Sequence, residues 1–305
     1  MPLNGKPGQN RNSIDILPFH QTRTTKKDMT ETTEDLEAQR KAMIHHTFET
    51  VANGYGVGGA RFFHLSGKEM AELHSLNGSE EILDVASGTG AAAIPLAKLV
   101  PNGQVLAVDF SPAMLKKAGE YANAEQLHNI QFEIHDMTKL PFDDGRFAHA
   151  NCAFGLFFVE DMVSLLRHIS SKVRPGGSVM VSGFCGDSFA PYANMAFDRM
   201  TSYGLEIPEQ RYAWKRMAEP EQLQTLFDDA GLKNATITRK SLGYYTDENG
   251  WWEVMWYAGF RGLIEQLGDR LEDFKREHLA EVKDLMNENG LWLEVDVNYT
   301  RGTVA

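Results

Sequence analysis

Short, almost wholly apolar runs alternate along the first two thirds of the chain with stretches whose apolar positions recur at helical spacing. The runs at 81–85, 104–110, 130–136, 150–156 and 179–184 read as strands, and the unbroken apolar stretch at 105–108 is of the kind buried on both faces of a parallel sheet. Helical patterns follow the first of them at 91–100, the second after Ser111-Pro112, and the fourth at 161–173. Ser111 supplies an N-cap and Pro112 a first helical position for the second of these helices. Before the first run, residues 34–51 read as a helix ending at Ala52-Asn53-Gly54, and another helix begins at Arg61. Beyond residue 190 the pattern changes to helices at 191–204 and 220–230, a strand at 235–245, a long helical insertion at 248–289 and a last strand at 291–297.

This order predicts an α/β fold with a seven-stranded, mostly parallel sheet, helices on both faces and a helical cap inserted in the C-terminal third. Three parts follow: a polar, flexible tail at 1–33, a ligand-binding core at 34–190, and a region at 191–305 carrying the cap insertions and the last strands.

Composition narrows the function. The chain has 305 residues, 42% of them hydrophobic, which supports an ordinary core. Its formal net charge is −12, and residues 246–296 hold 13 Asp and Glu against 5 Lys and Arg. With no basic helix face, neither nucleic acid nor an anionic membrane surface is expected as a partner. Cys152 and Cys185 have no metal-ligand spacing and read as reduced thiols, and the ten histidines form no ligand array, so no metal is expected. Without an apolar run near 18 residues or a signal-peptide pattern, a cytoplasmic location is expected.

Candidate chemistry centres on Glu81-Ile82-Leu83-Asp84-Val85-Ala86-Ser87-Gly88-Thr89-Gly90, a strand running into a glycine-bearing turn. Gly88 and Gly90 let backbone N–H groups approach a ligand, and the helix behind them offers its N-terminal end. Gly88-Thr89-Gly90-Ala91-Ala92-Ala93 fits the relaxed dinucleotide pattern G-x-G-x-x-A, and Asp109 follows at the expected interval. A nicotinamide-dependent oxidoreductase is therefore one reading. Asp84 inside the strand argues against it, because a carboxylate there calls for a cation or a donor. Asp109, at the end of the second strand, can accept both hydroxyls of a ribose.

Four motifs in order give the other reading: Leu83-Asp84-Val85-Ala86-Ser87-Gly88-Thr89-Gly90, Val108-Asp109-Phe110-Ser111, His135-Asp136-Met137 with Leu140-Pro141-Phe142, and Val173-Arg174-Pro175-Gly176-Gly177. In these the chain resembles the class I S-adenosylmethionine (SAM) methyltransferases, with a Rossmann-like fold. Thr47–Tyr55 and Phe154-Gly155-Leu156 resemble the ubiquinone/menaquinone-biosynthesis type within that family. The resemblance implies SAM as cofactor and S-adenosylhomocysteine (SAH) as product, transfer to a small-molecule acceptor, and a cofactor site of Tyr55, Asp84, Ala86, Ser87, Gly88, Thr89, Gly90, Asp109, Phe110, Met114, Asp136, Met137 and Ala153. It implies that Asp136 accepts from the adenine amino group, that the Met137 backbone meets a ring nitrogen, and that Tyr55 lies near the cofactor. Tyr55 also reads simply as the residue closing its helix. Two departures stand out: Phe157-Phe158 replaces a polar pair, and Ala153 a serine, so the acceptor pocket is expected to be less polar than in that family.

No residue announces itself as a catalytic base, and carbon, oxygen, nitrogen and sulfur acceptors all remain open. Phe154, Phe157, Tyr203, Trp214, Tyr244 and Trp252 are candidates for holding a flat acceptor, with helix packing as the alternative for each. A catalytically silent SAM-binding or regulatory protein would carry the same cofactor motifs.

Overall fold

The structure, a computed structural model, describes residues 33–207 and 212–305, with side chains from residue 37 onward. Apart from Thr33, the polar tail expected at 1–33 lies outside the described residues.

Helices α1 (Thr33–Val51) and α2 (Phe62–Glu72) precede the sheet. Strand β1 (Glu81–Val85), helix α3 (Ala93–Leu99), β2 (Gln104–Asp109), α4 (Pro112–Ala124) and β3 (Ile130–Ile134) then alternate. They are followed by β4 (Phe147–Ala153), α5 (Met162–Ser171) and β5 (Val173–Cys185). The C-terminal third adds α6 (Tyr192–Ser202), α7 (Pro220–Asp229), β6 (Lys233–Ser241), β7 (Tyr244–Thr246), α8 (Glu248–Tyr257), α9 (Arg261–Ile264), α10 (Leu271–Lys283), β8 (Leu291–Leu293) and β9 (Asp296–Thr303). The main sheet has seven strands in the order β3-β2-β1-β4-β5-β9-β6. The first five are parallel, and β9 runs antiparallel to both β5 and β6.

Central strands carry the apolar runs because both of their faces are covered: Ile82, Leu83, Val85, Val105, Ala107 and Val108 are fully buried. On one face α2 lies so close to the glycine turn that a Cβ at Gly67 would stand 2.0 Å from the Ala91 carbonyl oxygen. Only glycine allows that approach. Ser111 caps α4 as expected, accepting from the Met114 N–H at 3.1 Å. The strand order reverses between β1 and β4, and their carboxyl ends open a crevice there, the usual place for a ligand in such sheets.

The C-terminal third departs from expectation in three places. The strand expected at 235–245 divides at Leu242-Gly243, since β6 belongs to the main sheet and β7 pairs with β8 in a separate ribbon. The last sheet strand is β9, reaching Thr303, whereas 291–297 covers β8 and only the start of β9. The helical insertion expected at 248–289 consists of separate helices, parted at Ala258, which is extended, and at Gly268, whose φ is +54°. Gly176-Gly177 forms an irregularity within β5, with Gly176 at φ +79°, instead of a turn before it.

Candidate active site

At the carboxyl ends of β1, β2 and β4 lies a cavity of about 350 Å³. Its wall includes Tyr55, Ala86, Gly88, Asp109, Phe110, Met114, Asp136, Met137 and Ala153, nine of the residues expected at a cofactor. Asp84, Ser87, Thr89 and Gly90 are not on that wall. Ser87, Thr89 and Asp84 are buried beneath the turn, and Gly90 closes it, donating its N–H to the Ser87 carbonyl at 2.9 Å. Gly88 sits at φ +54°, a left-handed conformation that glycine adopts freely. The helix behind the turn is short, seven residues beginning at Ala93, with no side-chain cap.

Asp109 organises this end of the sheet. One carboxylate oxygen accepts the Gly88 N–H at 2.8 Å and the other the Ser111 N–H at 2.9 Å. It thereby fixes the turn after β1 and the start of α4 while lining the cavity. Burial raises its pKa, and the N–H groups of Ser111, Gly88 and Phe110 offset part of that rise. Burial, with the nearby Asp109 charge, pushes the Tyr55 hydroxyl far above its ordinary value, so Tyr55 stays protonated.

Three polar residues of α1 escaped sequence reasoning. Glu49 accepts from the Ser111 hydroxyl at 2.6 Å and the Ala113 N–H at 3.0 Å, tying α1 to the start of α4. Burial opposes its ionisation, but those two bonds prevail and hold its pKa down. Lys41 pairs with Asp136, and Arg40 with Glu160 at 3.0 Å, so α1 spans the cavity mouth. Asp136 thus has Lys41 on one oxygen and the Thr138 N–H at 3.0 Å on the other. The only signal for such pairs was charge on a helix whose apolar stripe is weak.

Asp84 is 1% exposed, and neither carboxylate oxygen makes a well-formed hydrogen bond. Burial raises its pKa to about 8, partly opposed by the Ala93 N–H and reinforced by Asp109. The stability Asp84 contributes is therefore complete below its ordinary value of 3.8 and lost as pH rises through about 8. Thermal melts of the ligand-free protein are expected to fall across that window, and Asp84→Asn to flatten the fall. A wild-type and variant with parallel pH profiles would contradict this.

The residues fit SAM. The buried Asp84 carboxylate and the buried Ser87 and Thr89 hydroxyls of the turn keep unspent hydrogen-bonding capacity, and Asp109 and Asp136 present acceptors along the wall. No group of three or more His, Cys, Asp or Glu arranged for a metal occurs among the described residues.

A second cavity of about 150 Å³ adjoins the first and shares Phe48, Tyr55, Phe154 and Phe158 with it. Phe157 and Trp214 line it, together with Phe63, Phe184, Phe197, Tyr212 and Phe260. Phe154 stacks on Phe184 with ring centroids 4.4 Å apart and holds φ +53°, while Ala86 across the crevice holds φ +54°. Two non-glycine residues in this conformation, at the ends of β4 and β1, store strain where the cavities meet. Nothing in the residue types announced it.

Of the six acceptor candidates, Phe154, Phe157 and Trp214 line this cavity, whereas Tyr203, Tyr244 and Trp252, expected beside the acceptor, line neither of the two cavities and pack elsewhere. The Tyr203 ring packs edge-on against Phe274. Tyr244 donates its hydroxyl to the Gly59 carbonyl at 2.5 Å and lies under the Arg61 guanidinium. Trp252 stacks on Trp256. Tyr203 thus packs on α10, Tyr244 on the segment leading into α2, and Trp252 on its own helix α8.

Residues 82–177 match a family model described as a methyltransferase domain. The chain is 34% identical over 146 residues to the ubiquinone/menaquinone biosynthesis C-methyltransferase UbiE of Bdellovibrio bacteriovorus, covering 47% of this chain and 62% of that one. It is 31% identical over 224 residues to the demethylmenaquinone methyltransferase of Listeria monocytogenes serotype 4a, covering 67% of this chain and 90% of that one. Among solved structures, the YcgJ protein of Bacillus subtilis shares the fold at a TM-score of 0.53 and 17% identity, covering 79% of this chain and 98% of that one. With the motifs, the sheet order and these relatives in agreement, the chain belongs to the SAM-dependent methyltransferases of the ubiquinone/menaquinone-biosynthesis type, and it is an enzyme that transfers a methyl group from SAM to a small molecule.

Proposed function

We propose that the acceptor is a flat, uncharged molecule whose reacting part fills the aromatic cavity, and that the larger cavity holds SAM. One observation carries this reading: thirteen of the eighteen residues lining the smaller cavity are aromatic, and none is charged. A formal charge placed there would lose its hydration without a compensating partner. Aromatic walls favour a flat apolar guest. The volume is near that of an engineered 150 Å³ cavity that accepts benzene, so it suits a reacting part the size of one ring.

The name of the UbiE relative assigns that protein carbon methylation in ubiquinone and menaquinone biosynthesis. Phe157 and Phe158 on this wall favour an acceptor with fewer polar groups than a polar pair would hold.

When bound, SAM supplies a methyl group made electrophilic by its sulfonium. Asp109 and Asp136 bind and orient. Tyr55, Phe48, Phe154 and Phe158 form the partition between the two cavities and keep water from the reacting atoms. Alignment of this kind is worth up to about 7–11 kcal/mol of barrier. No Asp, Glu, His, Lys or Cys lines the acceptor cavity, and the Tyr55 hydroxyl stays protonated. The acceptor thus arrives with its nucleophilic atom already unprotonated or activated by its own ring.

The test is incubation with isotopically labelled SAM and a panel of neutral one-ring, fused-ring and charged acceptors, read by mass spectrometry. Label is expected in neutral ring compounds. Label confined to phosphate- or carboxylate-bearing acceptors would overturn the reading.

A further inference from the structure

Asn151 of β4 stands beside Asp84 of β1, because the parallel register pairs their Cα atoms. Paired positions on neighbouring strands send their side chains to the same face. His74, just past the end of α2, has its Nε2 2.8 Å from Asn151 Oδ1. That bond uses the Asn151 carbonyl and leaves its amide nitrogen, which is fully buried and has no partner. Both Asp84 oxygens are buried as well, and neither makes a well-formed hydrogen bond. An unspent donor and an unspent carboxylate therefore occupy adjacent positions in one buried layer, where leaving either unpaired is costly. A gap too wide for a direct bond is spanned by one buried water with two to four polar partners.

We propose that Asn151 is a positioning residue for Asp84, holding the carboxylate beneath the cofactor across a bridging water while His74 fixes the orientation of the amide. The arrangement is asymmetric in a useful way. Burial pushes the His74 pKa down to about 4, with the Asn151 bond opposing the fall, so the imidazole is neutral and donates through Nε2. With its oxygen held by His74, the amide has only its N–H groups to offer Asp84, and a donor there favours the ionised carboxylate.

Other groups bear on the same carboxylate. Asp109 of β2 opposes its ionisation, and the Ala93 N–H of α3 favours it. Cys152 of β4 stays a neutral thiol, its pKa raised to about 12 by burial and then by the Asp84 charge. His149 of β4, Glu80 before β1 and Arg301 of β9 act on His74, one step further away.

The inference rests on Asp84 lying beneath the cofactor, which Asp84→Asn tests separately. The probe is SAH, whose ammonium group an ionised Asp84 would attract, titrated calorimetrically from pH 6 to 9. In the wild type, affinity is expected to rise with pH as Asp84 ionises. Asn151→Leu is expected to move that rise up by about one pH unit, weakening SAH about tenfold at pH 7, because a hydrogen bond to a charged group is lost. Should Asn151→Leu fail to fold, Asn151→Asp keeps the shape and the bond from His74 and is expected to move the rise in the same direction. Asn151→Ser, which retains a short donor, should restore part of the wild-type profile. If Asp84→Asn weakens SAH while every Asn151 variant keeps the wild-type pH profile, Asn151 is a packing residue and the proposal fails. If Asp84→Asn itself leaves SAH affinity unchanged, the placement of Asp84 fails first.

Discussion

Asp109→Ala is expected to weaken SAH binding by about 30- to 1,000-fold, corresponding to about 2–4 kcal/mol of lost charge-assisted hydrogen bonding. The carboxylate lines the cofactor cavity at 7% exposure, so its bonds to a ribose would be poorly screened by water. The structure adds a second consequence. Because the same carboxylate accepts the N–H groups of Gly88 and Ser111, its loss frees the glycine turn and one end of α4. The buried Ser111 N–H then lacks a partner, which costs about 1–3 kcal/mol, and the half-buried Gly88 N–H is left to water. The variant is expected to melt lower as well as bind more weakly. Asp109→Asn keeps one acceptor oxygen and separates the effects, retaining more of the melting temperature than of the affinity. Calorimetry showing wild-type SAH affinity in Asp109→Ala would remove this carboxylate from the cofactor.

Trp214→Ala is expected to raise the acceptor KM or lower kcat by at least about tenfold while SAH affinity stays nearly constant. Trp214 is 7% exposed, lines only the smaller of the two cavities, and packs against Phe184 and Tyr212 with ring centroids 6.1 and 5.5 Å away. Its removal also deletes a large buried ring and is expected to cost about 3–5 kcal/mol of stability. The informative comparison is with Tyr203→Ala and Trp252→Ala, whose rings lie outside both cavities. Those two are expected to lower stability without a selective loss of acceptor turnover. Equal kinetic profiles for all three would show that the smaller cavity does not hold the acceptor.

The parallel half of the fold was legible because its strands are short, mostly apolar segments, several of them closed by a motif residue. Asp109 and Asp136 stand just where β2 and β3 end, and both reach the cavity. The C-terminal third was harder to read. Its strands β6 and β9 are antiparallel partners rich in Thr, Asn, Arg and Lys, so no apolar run marks their ends. Aromatic composition alone also failed to separate Trp214, which lines a cavity, from Trp252, which stacks on Trp256. Both sit in amphipathic segments, and only the crossing of chain segments distant in sequence decides which ring faces a void. The ion pair between Lys41 and Asp136 was invisible for the same reason, since 95 residues separate its partners. The left-handed backbones of Ala86 and Phe154 are imposed by the convergence of β1 and β4, not by the residue types.

A crystal structure of the protein with SAH tests the central claim most directly. The account predicts the ribose hydroxyls on Asp109, the adenine beside Asp136 and Met137, and the sulfur facing the partition of Phe48, Tyr55, Phe154 and Phe158. SAH lying within the smaller aromatic cavity, or bound with its sulfur turned away from that partition, would contradict it.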